Sequence, residues 1–290
     1  MDVIHVAELP WGESLVAQRG GGDVAHKRLF EGEEGSADNY MLVMSSEPSS
    51  FYSPRHRHPW DQIRYCLEGR IPIAKGLFVE RGEIAYFPES AHYGPQEGGG
   101  DRIVLLLQFG GASGQGFIGP DRVAQARLEL AQEGRFENGV YFRSMTQGRR
   151  NRDAYEAIWL HVRGGELSYA APAYKTPIIM RPQALPWRPT LEGGVSIKGI
   201  GVFPHRGLLI NARQIESSAV FRVPAKRFLR FLFVTDGDGT IGPMELRRWS
   251  AVRMQAGEGA ELRASDRLEL LEITVRPVGD LQLPADSLPK

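Results

Sequence analysis

Residues 54–69 read Pro-Arg-His-Arg-His-Pro-Trp-Asp-Gln-Ile-Arg-Tyr-Cys-Leu-Glu-Gly, and residues 82–92 read Gly-Glu-Ile-Ala-Tyr-Phe-Pro-Glu-Ser-Ala-His. Three of the seven histidines, His56, His58 and His92, fall in these two stretches. Side chains at i and i+2 share one face of a strand and diverge on a helix. On a strand the Cα atoms of His56 and His58 stand about 6.6 Å apart. That is close enough for both imidazoles to reach one ion with bonds of about 2.1 Å. The spacing therefore predicts a strand-borne metal site, with His92 as its third ligand. His5, His26, His161 and His205 show no such spacing and read as surface or core residues.

Short runs of β-type residues extend from this stretch in both directions, punctuated by 34 glycines and 19 prolines. They are Tyr40 to Met44, Gln62 to Leu67, Ile84 to Phe87 and Arg102 to Phe109, then Gly194 to Val202, Leu208 to Asn211, Phe228 to Thr235 and Arg267 to Arg276. The rhythm predicts an all-β sandwich or barrel rather than a βαβ fold. One segment breaks it. With Asp121 as N-cap, Arg122 to Gln132 places Val123, Ala126 and Leu130 on one helical face. A second helix is expected from near Asn151 to Gly164-Gly165, with Tyr155, Ile158, Trp159 and Val162 as its apolar stripe. The stripe reads as an interdomain packing face, a lid being the alternative.

The two halves repeat. Ile63-Arg-Tyr-Cys-Leu-Glu-Gly is matched by Phe231-Leu-Phe-Val-Thr-Asp-Gly, which aligns Gly69 with Gly237. Thirteen residues before these glycines stand His56 and Pro224, and eleven before them stand His58 and Lys226. Nothing in the second half replaces His92. The expected organisation is a metal-bearing barrel over 1–118, a helical linker over 119–168 and a metal-free barrel over 169–290.

Composition narrows the partners. The 290 residues are 42% hydrophobic and 24% charged, as in ordinary globular proteins, and the length suits two domains. Lysine plus arginine equals aspartate plus glutamate, 35 against 35, so no basic excess points to nucleic acid or an anionic membrane. The single cysteine, Cys66, excludes a disulfide framework and reads as a buried structural thiol rather than a nucleophile. The N-terminal residues lack a signal-peptide pattern, and no apolar run approaches the roughly 20 residues of a membrane span. A soluble, cytoplasmic protein is expected. There is no Gly-x-Gly-x-x-Gly, Walker loop, Gly-x-Ser-x-Gly or His-Glu-x-x-His.

These residues resemble the cupin superfamily, and the two-copy layout resembles a bicupin. In the motif Gly-x5-His-x-His-x3,4-Glu-x6-Gly, the last four marked positions are held here by His56, His58, Gln62 and Gly69. In Gly-x5-Pro-x-Gly-x2-His-x3-Asn, Gly82 and Pro88 match, Ser90 replaces the second glycine, and His92 comes one residue early. The resemblance implies six- to eight-stranded jelly-roll barrels with inward metal ligands. It also implies exchange of edge strands between barrels, which would place the first 20 residues on the second domain. Within the superfamily, the stretch His56 to Gly69 looks most like the gentisate and salicylate ring-cleaving dioxygenases, bicupins with three histidines, no glutamate, and an arginine at the position of Arg64. This chain is shorter than those enzymes, and their substrates are not carried over.

Three neutral imidazoles leave a divalent ion its full charge. Gln62 differs from the motif glutamate by that charge, and can give a weak oxygen ligand or hydrogen-bond a substrate. Such a centre favours an anionic, bidentate substrate. With Fe(II) as the first choice of ion, and Zn, Mn or Ni as others, the expected reaction is an O2-dependent ring or C–C cleavage of a small aromatic or enolisable acid. A metal-dependent isomerase, lyase or epimerase and a non-catalytic small-molecule-binding bicupin are the alternatives. Strand alternation sets Arg64 beside Gln62 as a second catalytic candidate. It is a clamp for a substrate carboxylate, or a partner of Asp61, Glu68 or another acid in an internal ion pair, or, with a shifted register, a residue on the outer face. Tyr86, Tyr93, Gln96 and Gln108 are the further candidates for lining the pocket, while Trp60 reads as a packing residue at its mouth. Jelly-roll faces commonly associate, which allows a homodimer.

Overall fold

A computed structural model describes residues 1–12, 24–36, 38–144 and 151–277. These form two compact units: Trp11–Ile179, and Met180–Lys290 together with Met1–Pro10.

The first unit is built on a six-stranded sheet in the order Ile178–Met180, Ile84–Phe87, Trp60–Glu68, Arg102–Gly110, Tyr40–Glu47, Ala25–Glu31. The ladders from Ile84–Phe87 to Ala25–Glu31 are antiparallel. Successive side chains alternate between faces, so Trp60, Gln62, Arg64 and Cys66 point inward while Asp61 and Ile63 point away. Two apolar clusters occupy the inner face. One gathers Cys66, Ile71, Val79, Phe87 and Val104, the other Met41, Val43, Trp60 and Phe117. Polar side chains of Trp60–Glu68 and its neighbours fill the interval. Burial pushes the Cys66 thiol up to about 12, as suits a structural cysteine.

Two helices complete this unit. The first, α1 (Pro120–Ala131), starts one residue before the expected cap: Gly119 is the N-cap, Pro120 holds N1, and Asp121 pairs with Arg28 at 2.7 Å instead of capping. The second, α2 (Ala154–Arg163), is capped by the Asp153 carboxylate, which accepts the N–H groups of Tyr155 (2.9 Å) and Glu156 (3.1 Å). It ends at Gly164 with φ 71°. Val123, Ala126, Tyr155 and Ile158 bury their stripes against Met41, Val43 and Trp60. The apolar faces of α1 and α2 thus leave water in the core of the first unit.

The second unit repeats the order with its own strands: Asp2–His5, Ser250–Met254, Leu229–Asp236, Leu268–Val275, Leu208–Ile215, Val195–Phe203, Arg188–Pro189. A four-stranded sheet faces it, and Ile215, Phe221, Leu232, Val252, Leu262 and Leu270 are among the side chains packed between. The chain has an all-β architecture of two jelly rolls. The edge strand Asp2–His5 comes from residues that precede the first repeat in sequence and pairs with Ser250–Met254. Of the first 20 residues, those beyond 12 lie outside the described residues. The matched glycines Gly69 (φ 69°) and Gly237 (φ 80°) both need a left-handed backbone, and a Cβ would meet the carbonyl of Asp101 at 2.3 Å or of Arg267 at 1.9 Å. Among the described residues no helix is long and apolar enough to cross a membrane.

Candidate functional site

A short antiparallel ribbon carries the histidines. His56 and Tyr93 exchange both backbone hydrogen bonds at 3.0 Å, and Ser53 and Gln96 do the same at 3.0 and 2.7 Å. Residues directly opposite in such a pair project to one side. His56 and Tyr93 therefore face the interior together, and His92 is turned outward. There it is exposed, and burial of its edge together with Arg55 and Arg57 holds its imidazole below the ordinary range, favouring the neutral form. The three-histidine set is not assembled. Among the described residues no three His, Cys, Asp or Glu side chains cluster as metal ligands.

Tyr93 takes the place expected of His92. Strict counting of the second motif from Gly82 and Pro88 reaches Tyr93, so the register is kept and a phenol stands where the motif has an imidazole. The signal was in the spacing, hidden by the histidine next door. Ser90, at the motif's glycine, has φ 64°, which shows why glycine suits that position.

Three groups converge on the Tyr93 hydroxyl: His56 Nε2 at 2.9 Å, His58 Nε2 at 2.7 Å and Arg64 Nη2 at 2.7 Å. His56 Nδ1 lies 2.6 Å from the Pro54 carbonyl, which can only accept, so this nitrogen carries the proton. In the neutral ring Nε2 then accepts from the Tyr93 O–H, and the phenol oxygen accepts from His58 and Arg64. A His braced through Nδ1 to a carbonyl, with Nε2 aimed inward, is also how metal-bound histidines are oriented. Ligands sharing one six-coordinate ion at bonds of about 2.1 Å lie about 3 Å apart. The donor spacing at Tyr93 thus fits an ion held by two imidazoles and a phenolate.

Arg64 faces this pocket, resolving the alternatives for its orientation. Its Nε (3.2 Å) and Nη2 (2.8 Å) donate to Gln62 Oε1, and its guanidinium lies over the Phe87 ring at 4.5 Å. It is buried, and neither Asp61 nor Glu68 pairs with it. Asp61, on the other face, accepts from the Tyr86 hydroxyl (3.0 Å) and the Glu89 N–H (2.7 Å). Tyr86 follows Asp61 to that face and does not line the pocket, a consequence of alternation along Ile84–Phe87. With its oxygen engaged twice by Arg64, Gln62 orients the guanidinium and is not placed to ligate a metal.

The pocket around these groups takes in ≈ 850 Å³ of non-atom space, open solvent at its mouth included. Gln108 and Gln96 line it, Gln96 being tied to the Pro72 carbonyl at 3.2 Å. His26, Glu47 and Tyr155 line it too, unheralded by local sequence because distant elements bring them there. Trp60 stacks on His58 with ring centroids 4.3 Å apart, and its buried indole N–H has no acceptor among the described residues.

No family model matches the sequence, and no curated protein matches it. Solved structures do. A Nostoc punctiforme protein provisionally described as a dioxygenase superposes with TM-score 0.63 over 100% of this chain and 87% of its own, at 9% identity. Oxalate decarboxylase of Bacillus subtilis gives TM-score 0.56 over 95% of this chain and 76% of its own, at 12% identity. The protein GK1651 of Geobacillus kaustophilus gives 0.54 over 97% and 98%, at 12% identity.

Proposed function

We propose that this bicupin, for such is its fold, is a metal-dependent enzyme whose first unit carries out oxidative cleavage of a small anionic aromatic or enolisable substrate with O2. The observation that carries the reading is Arg64: a buried cation without a carboxylate partner among the described residues, 2.7 Å from the oxygen on which two imidazoles converge. Buried charges are ordinarily paired, and the anionic group of a substrate supplies the pair. The fold likeness is consistent with this, and Mn(II) centres are described for the Bacillus subtilis oxalate decarboxylase.

In this reading His56, His58 and Tyr93 hold the ion, with Fe(II) preferred over Zn, Mn or Ni. When bound, the metal supplies a Lewis acid for a chelating substrate oxygen and, as iron, the one-electron chemistry that O2 requires. Arg64, its plane fixed by Gln62, keeps Nη1 for the substrate carboxylate. The Trp60 N–H and Gln108 offer polar contacts, while Phe117, Val123 and Tyr155 exclude water. To hold the ion Tyr93 would serve as its phenolate, its proton released to solvent, and Arg64 at 2.7 Å would stabilise that charge. A homodimer is part of the proposal and is read from the mass in light scattering.

The test is metal analysis of anaerobically purified protein, followed by oxygen uptake with Fe(II) and a panel of hydroxybenzoates, catechols and β-diketones. Iron near one per chain and uptake lost in His58→Ala support the reading; no uptake with any substrate would falsify it. One observation favours a second reading, a metal-dependent isomerase or lyase. The His56–Tyr93–His58 chain has donors and acceptors matched for proton transfer. Anaerobic exchange of substrate hydrogen with deuterated solvent, without oxygen uptake, would select it.

A further inference from the structure

The second unit gathers more positive charge than its own carboxylates balance. Arg230 lies on Leu229–Asp236, sharing its inner face with Leu232 and Val234, and its side chain is fully buried. Around it stand Glu272 and Thr274 on Leu268–Val275, Arg213 on Leu208–Ile215, and Lys226. Glu272 accepts from Arg213 Nε at 2.8 Å and Lys226 Nζ at 3.2 Å, while Arg230 Nη1 stays 3.9 Å from it. Arg230 Nη2 donates to the Glu258 carbonyl at 2.8 Å. The Glu258 carboxylate is engaged elsewhere, by the Met1 amino group and the Gln255 N–H. Among the described residues Glu272 is thus the carboxylate nearest these three cations, with Glu258 acting on Arg230 from farther away.

Three buried polar atoms are left without partners among the described residues: Arg230 Nε, Arg230 Nη1 and Thr274 Oγ1. Arg230 and Thr274 are opposite each other in the ladder, so their side chains project to the same face. Burial works against the charge of Arg230, partly offset by Glu272, yet a guanidinium does not shed its proton. Three strands across the same face, exposed Gly199, paired with Asn211, has no side chain, and a Cβ there would meet only Asn211 Oδ1, at 4.0 Å. Lys226, 28% exposed, marks the way in.

We propose that this cluster is a binding site for a small oxyanion, held by Arg230 and Thr274 with Lys226 at its mouth. Carboxylates and tetrahedral anions share the required acceptor oxygens, and the site is independent of the first unit's chemistry. Thermal unfolding of the full chain in chloride is compared with sulfate, phosphate, acetate and malonate at equal ionic strength. Oxyanions are expected to raise Tm by roughly 2–5 °C, with sulfate and phosphate against acetate and malonate separating the two sources. Arg64→Gln should keep this response and Arg230→Gln should lose it. If Arg230→Gln does not fold, Lys226→Ala serves instead, with an anion midpoint raised at least about threefold. The proposal is overturned if no oxyanion exceeds chloride, as when water alone fills the cluster. It is equally overturned if the response survives Lys226→Ala unchanged or disappears in Arg64→Gln.

Discussion

The two units share a strand order but treat an inward arginine in opposite ways. In the first, Arg64 has Gln62 and Tyr93 as its hydrogen-bond partners among the described residues, beside two imidazoles and a pocket. In the second, Arg230 occupies the position equivalent to Gln62, seven residues before the matched glycine, and Glu272 and two more cations crowd the same face. The ladder makes the exchange explicit: Arg64 pairs with Leu106, whereas the equivalent Leu232 pairs with Glu272. The second barrel, with Pro224 and Lys226 at the positions matched to His56 and His58, is not apolar at that end. It holds an ion-pair cluster built around one carboxylate, and the comparison teaches that the interior position remains polar whichever chemistry it hosts.

The largest effect should come from breaking that carboxylate. In an anion-free buffer Glu272→Gln removes the carboxylate that Arg213 and Lys226 pair with and that lies nearest Arg230, and a loss of about 3–5 kcal/mol is expected in urea unfolding. Arg64→Gln should cost much less, since its partners are neutral. Equal midpoints for wild type and Glu272→Gln would show that the second cluster is hydrated rather than paired.

Next in size is the phenol. Tyr93→Phe should weaken metal binding about 10- to 100-fold, whereas Tyr93→His, which restores the motif's third imidazole, should bind at least as tightly as wild type. Titration of apo protein with Zn²⁺ or Fe²⁺ reads both. Unchanged affinity in Tyr93→Phe would remove Tyr93 from the donor set.

A smaller effect concerns acid. Burial alone pushes the Glu272 carboxyl up, but Arg213 and Lys226 more than reverse this and hold it below the usual range. The unfolded chain then binds the proton more tightly, so this stabilisation is complete above the ordinary glutamate value of about 4.3. It is lost as pH falls through the depressed folded value. Stability measured from pH 6 downward should show this slope in wild type and not in Glu272→Gln. Smallest of all is His92→Ala, which should leave metal content and oxygen uptake unchanged, because His92 faces outward.

The sequence disclosed the strands well, since alternation and turn glycines are local signals. Ile84–Phe87 has the expected bounds, and the His-x-His pair lies at the site. Arg64 also followed from alternation along one strand. What local reading missed depended on register between segments. His92 and Tyr93 are neighbours; strict motif spacing points to Tyr93, and the pairing of His56 with Tyr93 shows that it faces inward. Tyr86 was misplaced for the same reason, by one residue of phase. His26, Tyr155 and the helices that seal the first unit reach the pocket through long-range packing, which no short window encodes.

The pairing of Asp2–His5 with Ser250–Met254 also bears on how the chain is made. A ribosome adding about 5–20 residues per second exposes the first of these strands some tens of seconds before its partner exists. During that interval Asp2–His5 has no ladder to join, while the sheet of the first unit can already form. Closure of the second unit therefore awaits nearly the whole chain, and a prematurely truncated product would carry an unpaired strand at one end and an uncovered sheet edge at the other.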